Sequence, residues 1–313
     1  HDLMVSLYRA DGTLLMGGRL VRAATIRSRS RNRARPRTVV STSGSSGMAA
    51  VPTTAQHSLP RRDLPLRREA MSDTVSFGYE EVTPDEKTER VGAVFSSVAA
   101  KYDVMNDAMS GGMHRLWKDR FVRRVKPQPG EAILDMAGGT GDIAFRMAAR
   151  GASVTVSDIN QDMLDVGIER AMDRGIDGLV WSRQNAEELA FSSRIFDAYT
   201  IVFGIRNVTH IDKALAEAYR VLKHGGRFYC MEFSSTEWPG FKEVYDLYSH
   251  KLMPKMGKVI AGDEDSYRYL AESIRRFPKM PEFERMIRAA GFSQTRVEPI
   301  LGGAVAIHSG WKI

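Results

Sequence analysis

Residues 133–143 read Ile-Leu-Asp-Met-Ala-Gly-Gly-Thr-Gly-Asp-Ile, and this stretch decides the fold. A short apolar run ends in a glycine loop, after which apolar residues recur at helical spacing as far as residue 148. The pattern predicts a strand, a tight turn and a helix, the first unit of a doubly wound sheet. Gly138, Gly139 and Gly141 carry no side chain that would keep a ligand away from the main chain and the helix N-terminus.

Two classes of ligand compete for this loop. Residues 139–144 fit the G-x-G-x-x-G/A dinucleotide fingerprint, which is a weak signal by itself. Asp135 closes the strand just before the loop, where a carboxylate would repel a pyrophosphate but could hold an ammonium group. S-adenosylmethionine (SAM) carries an ammonium group and no phosphate, so it is favoured. Asp158 ends the next predicted strand and is placed to accept hydrogen bonds from ribose hydroxyls. A plain α/β protein with a glycine turn is the third interpretation.

Charge is unevenly distributed along the chain. Residues 1–70 hold thirteen Arg, no Lys and four acidic residues, a net charge of +9. Residues 71–313 hold 32 basic and 34 acidic residues, a net charge of −2. The sequence pI of about 9.5 therefore belongs to the first segment alone. A nucleic-acid partner inferred from whole-chain charge loses its support, and none is predicted.

The first segment, residues 1–70, is rich in Arg, Ser, Thr and Pro and lacks apolar periodicity. Such a leader cannot bury enough apolar surface to fold by itself, so its composition predicts disorder. Three origins fit it: a mitochondrial transit peptide, a nucleic-acid-binding tail, or upstream sequence translated in frame before a real start at Met71. The change of composition at Met71 favours the last origin and predicts a single folded domain over residues 71–313.

Composition also limits the compartment and the cofactors. The sequence contains no run of eighteen apolar residues, so it predicts no membrane span. Cys230 is the one cysteine, which excludes an internal disulfide and favours a reducing compartment, the cytoplasm. The seven histidines are scattered without metal-ligand spacing, so no metal is predicted.

The domain alternates predicted strands and helices, which indicates a mostly parallel sheet covered by helices. The strands are 132–136, 153–157, 178–183, 197–203 and 226–233, with an antiparallel pair at 294–299 and 303–309. The helices are 141–150, 161–174, 210–222 and 281–290. The pattern predicts the α/β fold of a class I SAM-dependent methyltransferase, Rossmann-like, with a mostly parallel seven-stranded sheet.

Two further segments, residues 90–126 and 236–280, are rich in Tyr, Met and Trp. They flank the carboxyl ends of the strands in the chain, so they are expected to form helical lids over the site. Core helices carry similar stripes, and that interpretation stays open for both segments.

Several ordered blocks outside the glycine loop resemble the ubiquinone/menaquinone biosynthesis C-methyltransferase family. They are residues 102–106 with Ser110, His114 and Trp117; 203–208; 220–223 with Gly225 and Gly226; 231–234; 266–270; 272–275; and 277–278. The resemblance covers residues 75–313. It departs at His224, Val202 and 299–301, and no contact is carried over to the last two positions.

The resemblance implies C-methylation of a polyprenylated quinol ring with SAM as the methyl donor, in menaquinone and ubiquinone biosynthesis. The acceptor would be demethylmenaquinol, 2-polyprenyl-6-methoxy-1,4-benzoquinol or both. Ionising a ring hydroxyl raises the electron density on the acceptor carbon. In-line transfer then needs donor and acceptor about 3–3.5 Å apart.

The resemblance and the physical argument together predict the cofactor site. Its residues are Asp135, Gly138, Gly139, Thr140, Gly141, Asp158, Asn185 and Ala186, of which Thr140, Asp158, Asn185 and Ala186 rest on the family match. An amide side chain or backbone at Asn185–Ala186 could read the adenine.

Three residues are candidates for catalysis by the same resemblance. The Arg206 guanidinium is expected to stabilise a phenolate, since it cannot act as an ordinary base. Asn207 is expected to hydrogen-bond a ring oxygen, and Tyr102 to hold the ring or relay a proton. A structural ion pair for Arg206 and a buried lid position for Tyr102 are the alternatives. The general base stays unassigned.

Two other function classes stay open beside the methyltransferase. An NAD-dependent oxidoreductase would use the glycine loop differently, and a non-enzymatic SAM-binding subunit would bind SAM without transferring methyl groups. The expected partners of the enzyme are a polyprenylated quinol and, peripherally, a membrane or a quinone-synthesis complex, with a homo-oligomer left open. The expected location is the cytoplasm, peripheral to the inner membrane, or the mitochondrial matrix if residues 1–70 are a transit peptide.

Overall fold

The computed structural model describes residues 7–9, 13–16, 19–22, 74–99, 106–107, 110–234 and 264–313. The chain divides into two compact units. One comprises residues 1–23 and 73–313, and the other comprises residues 24–72, which lie outside the described residues.

The described strands are β1 (Leu7–Arg9), β2 (Thr13–Met16), β3 (Arg19–Arg22), β4 (Val75–Phe77), β5 (Glu80–Val82), β6 (Ala132–Met136), β7 (Ser153–Asp158), β8 (Val180–Arg183), β9 (Phe196–Val202), β10 (Leu222–Phe233), β11 (Ser293–Ile300) and β12 (Val305–Trp311). The described α-helices are α1 (Pro84–Val98), α2 (Met113–Val125), α3 (Asp142–Ala148), α4 (Gln161–Asp173), α5 (Ile211–Val221), α6 (Glu264–Arg276) and α7 (Met280–Ala289). Short 3₁₀ helices span Ile205–Asn207 and Leu301–Gly303.

The main sheet has the order β11-β12-β10-β9-β6-β7-β8, and β1, β2 and β3 extend it beyond β8. Strands β6 to β10 are parallel to one another, whereas β12 runs antiparallel to β10, β11 antiparallel to β12 and β1 antiparallel to β8. Strand β6 lies in the middle, between β7 and β9. The seven strands of the domain thus confirm the predicted class I SAM-dependent methyltransferase fold.

Helices cover both faces of this sheet because side chains alternate along each strand. On one face, Ile133 and Val156 belong to a core with Phe121 of α2, Ile143 of α3 and Leu164 of α4. On the other face, Leu134 and Ile201 belong to a core with Leu215 of α5 and Phe283 of α7. With β6 buried on both faces and paired on both edges, whatever follows its last residue is held at the centre of the sheet.

The predicted strands and helices agree with the observed ones to within a few residues. The largest difference is at β10, which begins at Leu222 and not at 226, because Leu222 already pairs with Phe196 before a register shift. Segment 90–126 contains the end of α1 and all of α2, and segment 236–280 contains α6, with residues 235–263 outside the described part.

The leader differs in part from its expected disorder. Strands β1, β2 and β3 form an antiparallel meander, and β1 pairs with the edge strand β8 through Tyr8 opposite Trp181. Backbone hydrogen bonding to an unpaired sheet edge does not require apolar periodicity, so composition alone misses it. The remainder of the leader lies outside the described residues.

Candidate functional site

The carboxyl ends of the parallel strands border a cleft of about 1120 Å³, part of which is open to solvent. Parallel strands place their following loops at one edge of the sheet, so residues far apart in the chain meet there. The predicted site residues that line the cleft are Asp135, Gly138, Gly139, Thr140, Asp158, Asn185, Ala186 and Asn207. Gly141 and Arg206 are not among its lining residues in the described part, and Tyr102 lies outside that part.

The glycine loop turns sharply between β6 and α3. Gly139 has a φ of +50° and Gly141 a φ of +82°, a region that L side chains rarely adopt. A Cβ on Gly141 would lie 2.7 Å from Cη2 of Trp181, and one on Gly138 would lie 2.7 Å from Cγ1 of Val156. Gly141 is therefore required by the packing of the loop, whereas Gly138 and Gly139 also leave main chain open to the cleft.

Asp135 is almost entirely buried at the end of β6, with 1% of its surface exposed. Its Oδ1 accepts a hydrogen bond of 2.7 Å from Oγ1 of Thr200, the residue opposite on β9. Its Oδ2 is buried without a partner among the described residues. Burial raises the pKa of Asp135 to about 7, against the lowering by the Thr200 hydrogen bond. A cationic ligand group in the cleft would satisfy this oxygen, so the site fits the expected ammonium.

Asp158 ends β7 and holds the glycine loop. Oδ2 accepts from the backbone N–H of Gly139 at 3.0 Å, and Oδ1 accepts from the backbone N–H of Asn160 at 2.9 Å. Burial raises the pKa of Asp158 to about 6, although these backbone donors favour the charged form. Each carboxylate oxygen keeps a second lone pair, so hydroxyl donors of a ribose can still bind.

A cation also lies in the cleft wall. Lys118 of α2 is buried, and its Nζ donates to Oδ2 of Asp142 at 2.8 Å, at the start of α3. Burial by itself would raise the pKa of Asp142. The Lys118 charge and hydrogen bond contribute to the opposite effect, and the pKa of Asp142 is lowered overall. Lys118 and Asp135 therefore bring charges of opposite sign to the same cleft.

Helix α1 covers the cleft from outside the sheet, as expected for a lid. Thr88, Val91, Gly92 and Phe95 line the cleft. The Asn160 side chain donates to the carbonyl of Gly92 at 3.0 Å and to Oγ of Ser96 at 2.9 Å, and it accepts from Met163 N–H as the N-cap of α4. One asparagine thus joins the cover to the loop after β7.

The other end of the cleft is formed by the loop after β9, where backbone strain is concentrated. Phe203 has a φ of +55° and Ala137, after β6, a φ of +51°. These left-handed conformations are unfavourable for residues with a Cβ and cluster at functional sites. The Phe203 ring stacks on Phe233 with ring centroids 4.5 Å apart, and Trp117 meets Phe233 edge-on. The result is an aromatic wall at this end.

Arg206 is buried behind this wall in an ion pair with Glu232 of β10. Its Nη1 donates to Oε1 of Glu232 at 2.8 Å and to the carbonyl of Phe203 at 2.6 Å. The two side chains are 3% and 0% exposed. Burial raises the pKa of Glu232, against the lowering by the Arg206 charge. The structural ion pair considered for Arg206 is thus present.

Asn207 follows Arg206 and faces the cleft. The Tyr269 hydroxyl of α6 donates to Oδ1 of Asn207 at 3.1 Å, and the Tyr269 ring stacks on Phe77 at 4.3 Å. Burial raises the pKa of Tyr269 to about 12, so this hydroxyl keeps its proton. Because Oδ1 is occupied, the orientation of the Asn207 amide is set, and its NH₂ group remains available to donate.

Sequence reasoning gave no role to several of these residues, among them Lys118, Asn160, Glu232 and Tyr269, although the last two lie in blocks that resemble the family. Lys118 had a signal, since the buried residues of α2 are His114, Trp117, Lys118, Phe121, Val122 and Val125, and this spacing puts a lysine on the apolar stripe. Glu232 likewise interrupts an apolar strand. Asn160 stands just before the predicted helix 161–174, which is a capping position. Its contacts with α1, and the contact of Tyr269 with Asn207, join residues distant in the chain, for which the sequence carries no signal.

Comparisons with known proteins identify the family of this chain. The model of the ubiE/COQ5 methyltransferase family matches residues 83–312. The ubiquinone/menaquinone biosynthesis C-methyltransferase UbiE of Zymomonas mobilis is 63% identical over 241 residues, which are 77% of this chain and 100% of that protein. The mitochondrial 2-methoxy-6-polyprenyl-1,4-benzoquinol methylase of Oryza sativa is 52% identical over 263 residues, covering 77% of this chain and 90% of that protein.

Solved structures support the fold. A SAM-dependent methyltransferase from Thermotoga maritima superimposes with a TM-score of 0.51 and 20% sequence identity, covering 71% of this chain and 99% of that one. At this identity the similarity concerns the architecture of the sheet and helices.

Proposed function

Because the chain belongs to the ubiE/COQ5 methyltransferase family, we propose that it transfers the methyl group of SAM to a ring carbon of a polyprenylated quinol. The names of the relatives support this acceptor class. The observation that carries the proposal is Asp135, a buried carboxylate with one unpartnered oxygen beside an open glycine loop, in a chain of this family. A dinucleotide pyrophosphate would be repelled at this position.

Several cleft residues would hold SAM, which supplies an activated methyl group on a sulfonium when bound. Oδ2 of Asp135 would accept from the ammonium, and Asp158 would accept from the ribose hydroxyls. Thr140 and the main chain at Gly138 and Gly139 line the cleft where the amino-acid portion would lie. The remaining predicted contacts, Asn185 and Ala186, follow β8 and would meet the adenine.

The acceptor ring would lie at the other end, against the wall containing Phe203. Its ring face could stack there, since aromatic pairs prefer offset stacked or edge-on geometry. The free NH₂ group of Asn207 would donate to a ring oxygen. Arg206 would stabilise the phenolate from behind the wall, and Tyr102 would hold the ring or relay a proton.

The polyprenyl tail of such an acceptor partitions into a lipid bilayer, so we infer that the chain works at a membrane surface. In the described part, helices fall short of the length and apolar character that crossing a bilayer requires. The cytoplasm and the mitochondrial matrix both fit this inference. The Oryza sativa relative is named as mitochondrial. For this chain, the matrix is expected if residues 1–70 act as a transit peptide, and the cytoplasm if they do not.

The test is direct. The purified protein is incubated with labelled SAM or labelled NADH, and then with SAM and chemically reduced demethylmenaquinol or 2-polyprenyl-6-methoxy-1,4-benzoquinol. We expect SAM binding and a C-methylated product of at least one quinol, identified by mass spectrometry. SAM binding without transfer to either quinol would indicate a non-enzymatic subunit, and NADH binding an oxidoreductase. Quinone profiling of a knockout strain complemented by this gene would show which acceptor is used.

A further inference from the structure

The Arg206–Glu232 pair leaves one polar atom on each partner unused. Nε of Arg206 and Oε2 of Glu232 are both buried, and neither has a hydrogen-bond partner among the described residues. Native proteins satisfy nearly all buried polar atoms, so each exception needs an explanation. A buried ion pair is weak evidence for stability, and an under-satisfied one is weaker still. The pair is therefore poorly explained as a stabilising contact alone.

The position of the pair suggests its use. Nη1 of Arg206 also holds the carbonyl of Phe203 at 2.6 Å, and Phe203 has a strained φ of +55°. Phe203 and Asn207, on either side of Arg206 in the chain, both line the cleft. The guanidinium thus sits within one short loop between two residues of the acceptor end, and its orientation determines where that loop lies.

Glu232 determines the orientation of the guanidinium. Its Oε1 accepts from Nη1 of Arg206 at 2.8 Å and from its neighbour Phe233 N–H at 2.8 Å, so the carboxylate is anchored to the backbone of β10. The side chain is fully buried, and β10 is paired on both edges, which leaves the carboxylate little freedom. Because the guanidinium is planar, two acceptors at Nη1 fix the orientation of the whole group.

We propose that Glu232 is the positioning residue of the acceptor site: it holds the Arg206 guanidinium by Nη1, and the same Nη1 holds the carbonyl of Phe203, so that the strained loop and the positive charge behind it keep their place at the acceptor end. This inference rests on the proposed quinol methylation. As the ring hydroxyl loses its proton to solvent or an unassigned base, the oxygen gains negative charge and its attraction to the guanidinium charge behind the wall strengthens. The interaction is then stronger in the transition state than in the ground state, which is what accelerates a reaction.

The experiment is a double-mutant cycle of E232Q and R206K, with Glu131→Gln as the matched control. Glu131 also pairs with an arginine, Arg227, at 2.6 Å, but at the amino edge of the sheet, away from the cleft. R206K keeps a cation for Glu232 but removes the planar guanidinium that joins Glu232 to the Phe203 carbonyl. Methyl transfer to the reduced quinol is measured together with SAM affinity by calorimetry and the melting temperature.

We expect E232Q to lower kcat by about 10²-fold, the scale for losing one preorganised donor. SAM affinity should stay within about twofold, because the cofactor contacts do not involve the pair. R206K should lower kcat to a similar extent, and the double variant should be no slower than R206K, since Glu232 acts through Arg206. Glu131→Gln should keep the wild-type kcat. Glu232→Asp, which keeps the charge, should fall between E232Q and the wild type.

Other results would overturn the inference. They are an E232Q variant with the wild-type kcat, a double variant whose loss is the product of the two single losses, and a Glu131→Gln variant as slow as E232Q. If E232Q does not fold, Glu232→Asp decides: a lowered kcat at unchanged KM supports the inference, and the wild-type kcat contradicts it. A wild-type chain that methylates no quinol would overturn the proposed function and this inference together, whereas the preceding results would overturn the inference alone.

Discussion

The buried carboxylate of Asp135 lowers the stability of the folded chain at high pH. Its pKa is about 7 in the folded protein and near 3.8 in an unfolded chain, because burial penalises the charged form. Between these values the folded protein holds a proton that the unfolded chain has lost. The contribution of Asp135 to stability is therefore full below about pH 4 and is lost as the pH rises through about 7.

Asp135→Asn should consequently be more stable than the wild type at pH 8 without SAM, by on the order of 2–4 kcal/mol, while binding SAM at least about tenfold more weakly. Thermal unfolding between pH 4 and pH 8, with and without SAM, measures both effects. Asp173→Asn, at the exposed end of α4, is the control and should leave the profile unchanged. Equal stability of Asp135→Asn and wild type at pH 8 would show that the buried charge is compensated.

Asp158 is expected to contribute to cofactor affinity. Asp158→Ala should weaken SAM binding by roughly 1.5–3 kcal/mol, the range for charged hydrogen bonds. Because the pKa values of Asp135 and Asp158 are about 7 and about 6, SAM affinity of the wild type should also fall as the pH drops below about 7. Calorimetry from pH 5 to pH 8 tests both statements, and unchanged affinity in a folded variant would contradict the assignment.

Arg206 should matter for chemistry more than for cofactor binding. Arg206→Lys should lower kcat by about 10²–10³ with little change in SAM affinity, since an ammonium cannot reproduce the planar fork. Raising the pH should partly restore turnover, because solvent then supplies the ionised quinol. Arg206→Ala should in addition cost about 3–5 kcal/mol of stability by leaving Glu232 unpaired. Kinetics and thermal unfolding separate the two effects, and loss of SAM binding in Arg206→Lys would make the residue structural.

At the scale of elements, α1 and α4 are coupled through Asn160. The Oδ1 atom caps α4, and the Nδ2 group donates to α1. Asn160→Asp keeps the capping oxygen and removes the donors, whereas Asn160→Ala removes both.

We expect Asn160→Asp to keep the cap, worth about 1 kcal/mol, but to release SAM about 5–30-fold faster, since one or two hydrogen bonds to the cover are lost. Asn160→Ala should combine faster release with lower stability. Stopped-flow dissociation and thermal unfolding provide the two readouts. Wild-type release from Asn160→Asp would mean that α1 closes the cleft without this contact.

At the scale of the whole molecule, the leader and the domain can be separated. A chain that begins at Met71 should keep full stability and turnover, because the predicted site lies within 71–313 and the leader adds no predicted core. In the structure, β1 pairs with β8, so a chain that begins at Met71 would leave this edge of β8 unpaired. Turnover and melting temperature of the two chains measure the outcome. Import of a reporter fused to residues 1–70 into isolated mitochondria would instead favour the transit peptide.

The sequence predicted the elements of the domain because their signals are local. The apolar run and glycines around Asp135 specify a strand and a turn, and the 3.6-residue spacing after them specifies α3. Helix α2 escaped prediction as a separate element because His114 and Lys118 interrupt its apolar stripe. The leader strands were not predicted because pairing at a sheet edge depends on backbone groups, which every residue carries.

What the sequence by itself determined is the positions and directions of the strands, the glycine loop and the family, and it predicted Asp135 and Asp158 as cofactor ligands. Only the tertiary structure decided which side chains meet. Asp135 and Thr200 are 65 residues apart, Arg206 and Glu232 are 26 apart, and Asn207 and Tyr269 are 62 apart. Local propensity extends over a few residues, whereas these contacts exist because the sheet brings distant strand ends to one edge, where burial then sets their charges and partners.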